Sequence, residues 1–185
     1  MIMGDDLNYG PLLSVWHCLY DLAFLRSHSI EFDEEVRWSE DNIFSAMVGY
    51  QAESFYYLKE EGLYHYYQNP GTITTSYRKG AWEVYKTMNH HLAVYFADKR
   101  EFNFQNQLKL HLIFYACNCI GQTAALSIEE GKKEIHRILN DPELEDAFHQ
   151  VRFGDIPLKL RIQLWLMKQR CSSLLQTMTV RRSGK

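Results

Sequence analysis

The sequence predicts an α+β chain in which helix predominates, and two patterns carry that expectation. From Ile43 onward apolar residues return every three to four positions in one segment after another, the spacing that lays a stripe along one face of a helix. Between the first such segment and the rest lie two aromatic runs, Phe55-Tyr56-Tyr57-Leu58 and Leu63-Tyr64-His65-Tyr66, flanking Glu60-Glu61-Gly62. That arrangement suits a β-hairpin or two neighbouring strands. With 185 residues the chain is long enough to bury a real core. We expect two parts, 1–77 with the short strands and 78–185 helical.

The elements follow in order. Residues 14–28, SVWHCLYDLAFLRSH, open with strand-like aromatics and end with helical spacing, and periodicity alone does not separate the two. Next, Ile30 and Phe32 alternate with acids in SIEFDEEVRW, which suits a short extended segment at the edge of a site. A helix of about three turns begins at Asp41, with Ile43, Phe44, Met47, Val48 and Ala52 at helical spacing. Ser39 is its expected N-cap, with Asn42 three positions on. Asn69, Pro70 and Gly71 then end the second aromatic run as a turn. Helices are expected over 78–99, 105–125 and 127–139. Another starts with Asp141 as cap, Pro142 at the first helical position and Glu143 in the first turn. The last runs from Pro157 to Leu175. The sequence holds no internal repeat and no low-complexity tract.

Composition narrows the classes of function. Apolar residues at 46% and aromatics at 14% argue for a folded body rather than disorder. A net charge of −3 argues against a uniform basic footprint, so nucleic acid is not an expected partner. The four cysteines, Cys18, Cys117, Cys119 and Cys171, form no C-x-x-C pair and read as reduced thiols of a cytosolic protein. Cys117 and Cys119 fall in an apolar helix and are expected in the core. The opening MIMGDDLNYG places acids where a secretory signal carries cations, and no stretch reaches the ~18 apolar residues of a spanning helix.

Two further groups carry chemistry. His90-His91 and His111 invite a metal reading, but neighbours on a helix point about 100° apart, and no ligand spacing supports them. Surface or packing roles are expected. In residues 157–185, Leu158, Ile162, Trp165, Leu166 and Leu174 alternate with Lys159, Arg161, Lys168 and Arg170, and the tail ends in Arg181, Arg182 and Lys185 without any acid. A basic amphipathic helix carrying Trp suits peripheral contact with an anionic membrane; a packing helix with a solvated basic face is the plainer alternative.

The adjacent acids Glu40 and Asp41 open the first helix. Alone, such a pair is ordinary, because the orphan N–H groups and the dipole of a helix start favour negative charge. Five pieces in register alter the reading: Trp16 with Leu19 and Tyr20, then Ser29 to Glu34, then Glu40-Asp41, then Leu63 to Tyr66, then Pro70 to Thr74. Together residues 14–78 resemble the second half of the nucleotide-sugar-binding fold in glycosyltransferase family 2, of the GT-A type. The resemblance implies the acceptor-side part of a GT-A fold followed by a C-terminal helical bundle. It implies inverting transfer of a sugar from a nucleotide-sugar to a glycan or lipid-linked acceptor hydroxyl, in bacterial surface polysaccharide synthesis.

By the same resemblance Asp41 is the base, and Glu40 orients it or binds acceptor. Trp38, Tyr64 and Tyr66 offer flat faces to the acceptor sugar, although Trp38 also suits a core position. His65 matches a place where some relatives carry a metal ligand. Members of the family hold Mg or Mn at an Asp-x-Asp motif in an N-terminal half. Asp5 and Asp6 follow no apolar strand and read as a solvated turn, so no metal site is identified here. The expectation is a cytoplasmic acceptor-side portion, with the inner face of the membrane as the secondary location, inactive without a separate donor-binding half. The competing expectation is a non-catalytic helical module that binds a protein or glycan.

Overall fold

A computed structural model describes residues 2, 7, 15–59, 62, 64, 65, 67 and 77–183. Among them the regular elements are helices only. Short 3-10 turns at Val15–His17 and Thr123–Ala125 accompany α1 (Leu22–Ser27), α2 (Glu40–Gln51), α3 (Ala81–Tyr95), α4 (Phe104–Gln122), α5 (Ile128–Leu139), α6 (Pro142–Gln150), α7 (Leu158–Lys168) and α8 (Ser172–Arg182).

Local chemistry sets the helix starts. The Asp21 carboxylate accepts from the backbone N–H groups of Ala23 and Phe24 at 2.7 and 3.1 Å, fixing the first turn of α1. Asn103 does the same for α4 through the Asn106 N–H. Ser127 and Glu130 form a reciprocal capping box at α5. Asp141 caps α6 ahead of Pro142, as the sequence predicts.

Helix α4 is the central mast. Phe104, Leu108, Leu110, Leu112, Ile113, Ala116, Cys119 and Ile120 are all buried, so its apolar residues run around the whole circumference. Around it Met88, Leu92 and Phe96 come from α3 and its end, Ile135 and Ile138 from α5, Leu144 from α6, Met167 from α7 and Leu175 from α8. Fully burying side chains of this size is worth about 1.5–3 kcal/mol each, before chain entropy is set against it. Two polar devices lock the outer layer. The Gln176 amide is buried, accepting from Thr123 Oγ1 at 2.7 Å and donating to the Thr123 carbonyl at 3.2 Å. Gly131 is what lets it approach: a Cβ there would lie 2.2 Å from Gln176 Nε2. Trp82 Nε1 and Lys86 Nζ both reach Asp141 Oδ2 at 2.8 Å, tying α3 to the start of α6.

Helix α2 faces two ways. Ile43 and Ala46 join the main core, while Phe44 and Val48 join Ile30 in a smaller front cluster with Val15, Tyr20, Phe24 and Leu25 packed against it. The first turn of α2 thus sits where bundle and front cluster meet.

Three expectations need correction. No strand occurs among the described residues, so the α+β class and the acceptor-side GT-A part, which needs a sheet, are not what this chain forms. Phe55, Tyr56 and Tyr57 are exposed, and no neighbouring ladder takes up their backbone groups among the described residues. A run of strand-favouring residues needs such a partner to become a strand. The expected single helix from Pro157 to Leu175 is two helices, α7 and α8. Arg170 adopts a left-handed φ of 54° after α7, and the Cys171 N–H closes back on the Leu166 carbonyl at 3.0 Å. Finally, the opening of residues 14–28 is a 3-10 turn rather than strand. The turn expected at Asn69-Pro70-Gly71, the Asp5-Asp6 pair and Tyr66 lie outside the described residues.

Candidate functional site

The structure places Glu40 and Asp41 in the first turn of α2, each partly exposed. Ser39 holds the N-cap position, but its side chain makes no capping hydrogen bond. Its backbone explains why: φ 61° and ψ 26° are left-handed, whereas a serine that accepts from the first-turn N–H groups sits in the extended region. A non-glycine residue held there carries strain of about 1–2 kcal/mol, the kind that persists where surroundings enforce it. The Ser39 hydroxyl instead lies against the phenols of Tyr85 and Tyr115 beneath the helix start.

Under this turn is a polar interior assembled from three helices. His111 is fully buried, with Nε2 at 2.9 Å from Asn42 Oδ1 and Nδ1 at 2.9 Å from Asn89 Nδ2. Asn89 Nδ2 also donates to the Leu108 carbonyl at 2.9 Å. Since an amide oxygen only accepts and an amide nitrogen only donates, His111 is neutral with its proton on Nε2. Burial agrees, pushing the imidazole down to about 3. Asn42, next to Asp41 in α2, is therefore held by a neutral, buried imidazole.

Beside it Tyr115 is 3% exposed, and neither its hydroxyl nor Asn42 Nδ2 has an aligned hydrogen-bond partner. Burial pushes the Tyr115 phenol well above its ordinary range; the Ser39 hydroxyl acts against this, and the neighbouring Tyr85 and Asp41 add to it. Tyr85 stacks on Tyr115 with ring centroids 4.1 Å apart and accepts from Arg78 Nη1 at 2.9 Å. On the other side, burial raises Tyr20 as well, followed by the Cys18 thiol and then the charge of Asp41. The Asp41 carboxylate is thus close enough to act on a phenol of the front cluster and on one of the bundle.

The remaining expected site residues scatter. Trp38 is half-buried and packs against the edge of the main core, with the Arg78 guanidinium 5.9 Å from its ring centre. Tyr64 is exposed, its ring 4.6 Å from that of Trp16. His65 is exposed. His90 is exposed, whereas His91 pairs through Nδ1 with Asp33 and approaches Glu35 at 3.4 Å. Cys119 is buried and Cys117 is half-buried against the core, and burial pushes both thiols up to about 12. No three His, Cys, Asp or Glu side chains converge as a metal-binding group among the described residues.

Sequence reading missed Asn42 as a partner of His111, and Arg78, Tyr85 and Tyr115 as the floor below Asp41. His111 is 69 positions from Asn42, and no local pattern joins them. A histidine set between Leu110 and Leu112 in the buried stretch of α4 was the available signal, since such a side chain needs a buried partner.

Comparison with known proteins adds one finding. The chain is similar to the uncharacterized glycosyltransferase EpsJ of Bacillus subtilis (strain 168), with 26% identity over 174 residues. The matched stretch covers 88% of this chain and 49% of that protein, so the chain spans about half the length of the relative. No protein-family model matches the chain, and no solved structure does.

Proposed function

We propose that this chain provides the acceptor side and the catalytic base of a glycosyltransferase. The reaction is inverting transfer from a nucleotide-sugar to a hydroxyl of a glycan or lipid-linked acceptor, in the building of a bacterial surface polysaccharide. The observation that carries the reading is the likeness to a glycosyltransferase across 88% of the chain, with Glu40 and Asp41 set side by side and partly exposed in the first turn of a helix.

An acceptor hydroxyl is a poor nucleophile until a positioned base takes its proton as it attacks the anomeric carbon. Asp41 takes that proton. Its aim comes from below: Asn42 is held by His111, and Ser39 is held in its left-handed turn over Tyr85 and Tyr115. Glu40 stands beside it and receives a second hydroxyl of the acceptor. Tyr64 and Tyr66 offer faces to the acceptor ring, and Trp38 supports the turn from the core side. Donor phosphates, and any Mg or Mn that neutralises them, belong to a donor-binding half, and no step here is routed through them.

The test is nucleotide release and sugar transfer by the assembly of this chain with a nucleotide-sugar-binding half. Loss of a general base typically costs about 10²–10⁴-fold. Asp41→Asn should show that loss, and Glu40→Gln a smaller one expressed mainly in the KM for acceptor. Full activity in Asp41→Asn removes Asp41 from the role and leaves the non-catalytic module as the better description.

A further inference from the structure

Helix α7 is divided lengthwise. Leu164 and Met167 are buried, and Leu160 packs against the core, on the side turned to the bundle. On the opposite side Leu158, Ile162 and Trp165 are 69%, 46% and 59% exposed. Four and three residues apart, these three fall within about 60° of arc. Arg161 and Lys168 run along one border of the stripe, and Lys159 lies along the other.

The charge around this face is segregated. From Pro157 to the last residue the chain carries seven of its 20 Lys and Arg and none of its 23 Asp and Glu. The rest of a chain whose net charge is −3 is correspondingly acidic. Arg182 donates to Gln163 at 2.9 Å, which brings the basic end of α8 back to the middle of α7. Arg170 is engaged with Glu145 at 2.8 Å and belongs to the neighbouring cleft rather than to the stripe.

An apolar stripe with an indole on it and cations along both borders matches the layered chemistry of a lipid interface. The alkyl side chains reach the acyl boundary, the indole lies at headgroup level, and Lys and Arg extend toward lipid phosphates. A second copy is a poorer occupant, because a two-fold pairing of this face sets the same cations against each other. No described helix is long and apolar enough to cross a membrane.

We propose that the exposed face of α7, formed by Leu158, Ile162 and Trp165 and bordered by Lys159, Arg161 and Lys168, docks in the plane of an anionic phospholipid surface. The surface is separate from the Asp41 turn, and its readout needs no sugar transfer, so either assignment can fail without the other.

Flotation of the full chain with phosphatidylcholine vesicles, with and without phosphatidylglycerol, tests it. Binding should require phosphatidylglycerol and weaken as salt is raised. The combined variant Leu158→Ser, Ile162→Ser, Trp165→Ser should reduce binding at least tenfold, with an unchanged circular dichroism spectrum and melting temperature, because all three side chains are exposed. Each of Lys159→Gln, Arg161→Gln and Lys168→Gln should cost about fivefold. Trp165→Phe should remove the blue shift of indole emission that accompanies vesicle binding. The proposal is overturned by equal binding to both vesicle types, by no binding to either, or by full binding of the combined variant. It is likewise overturned if the combined variant instead abolishes a concentration-dependent dimer.

Discussion

The bundle and the front of the molecule are built on different terms. In the bundle, α4 buries residues on every side and five other helices close around it. In the front, α1 buries nothing fully, and Leu19, Leu22, Phe55, Tyr56 and Tyr57 stand exposed. Among the described residues, Ile30, Phe44 and Val48 are the buried members of the front cluster. The proposed base sits on the seam. Its helix is anchored rearward by Ile43, Ala46 and Asn42 and forward by Phe44 and Val48. A rigid floor with a lightly packed rim suits the proposed role, in which one carboxylate is held still beside an acceptor.

The largest effects on stability should come from the bundle. Leu110→Ala removes a fully buried side chain from the central helix and should cost about 2–5 kcal/mol, read by chemical denaturation. Phe24→Ala, in a half-buried front position, should cost far less, and equal losses would show that front and bundle form a single cooperative unit with no soft side.

Acidification should act next, through His111. Its folded imidazole stays neutral down to about 3, while in the unfolded chain it takes a proton near its ordinary value of 6.5. The unfolded state therefore binds more protons between those limits, and stability falls as pH is lowered through that window, by up to about 1.4 kcal/mol per pH unit from this group. His111→Gln should weaken the slope in a urea-titration series. A slope unchanged by the substitution would place the acid sensitivity elsewhere, with Asp141 the next candidate. Burial opposes the ionisation of Asp141, but Lys86, Trp82 and the Glu143 N–H together hold its carboxyl below the usual range, so its contribution is lost only in stronger acid.

A smaller effect belongs to the contact between α5 and α8. Gly131→Ala drives a methyl group into the Gln176 amide and should cost about 1–3 kcal/mol. Adding Gln176→Ala should give a double-mutant total below the sum of the singles, because the clash disappears with the amide. Strict additivity would mean that α5 shifts to absorb the methyl.

The smallest effect belongs to the front. Asp21→Ala removes the carboxylate that caps α1 and should speed hydrogen exchange at the Ala23 and Phe24 amides without moving the global melting temperature. A drop in melting temperature comparable to that of Leu110→Ala would erase the distinction between the two regions.

Legibility followed the same division. The bundle helices were readable because each carries a continuous period, and Asp141-Pro142-Glu143 marks a start by local chemistry alone. The break at Arg170 was not, since a left-handed arginine has no compositional signal of the kind glycine gives. The aromatic runs gave a strand expectation because propensity registers the residue, not whether a neighbouring edge exists to pair with it. At the site, Glu40 and Asp41 were found as a helix opening, and the acid pair does occupy the first turn of α2. What holds that turn, Asn42 through His111 to Asn89, joins three helices across long sequence separations and only folding brings it together.

The rate of the chemical step in a single turnover, with donor and acceptor both saturating, tests the assignment of Asp41 most directly. The account predicts that Asp41→Asn slows that step by at least about 100-fold, while acceptor affinity and melting temperature stay close to those of the unsubstituted chain. A chemical step within about threefold of the unsubstituted rate, in a variant with the same fold, would contradict it.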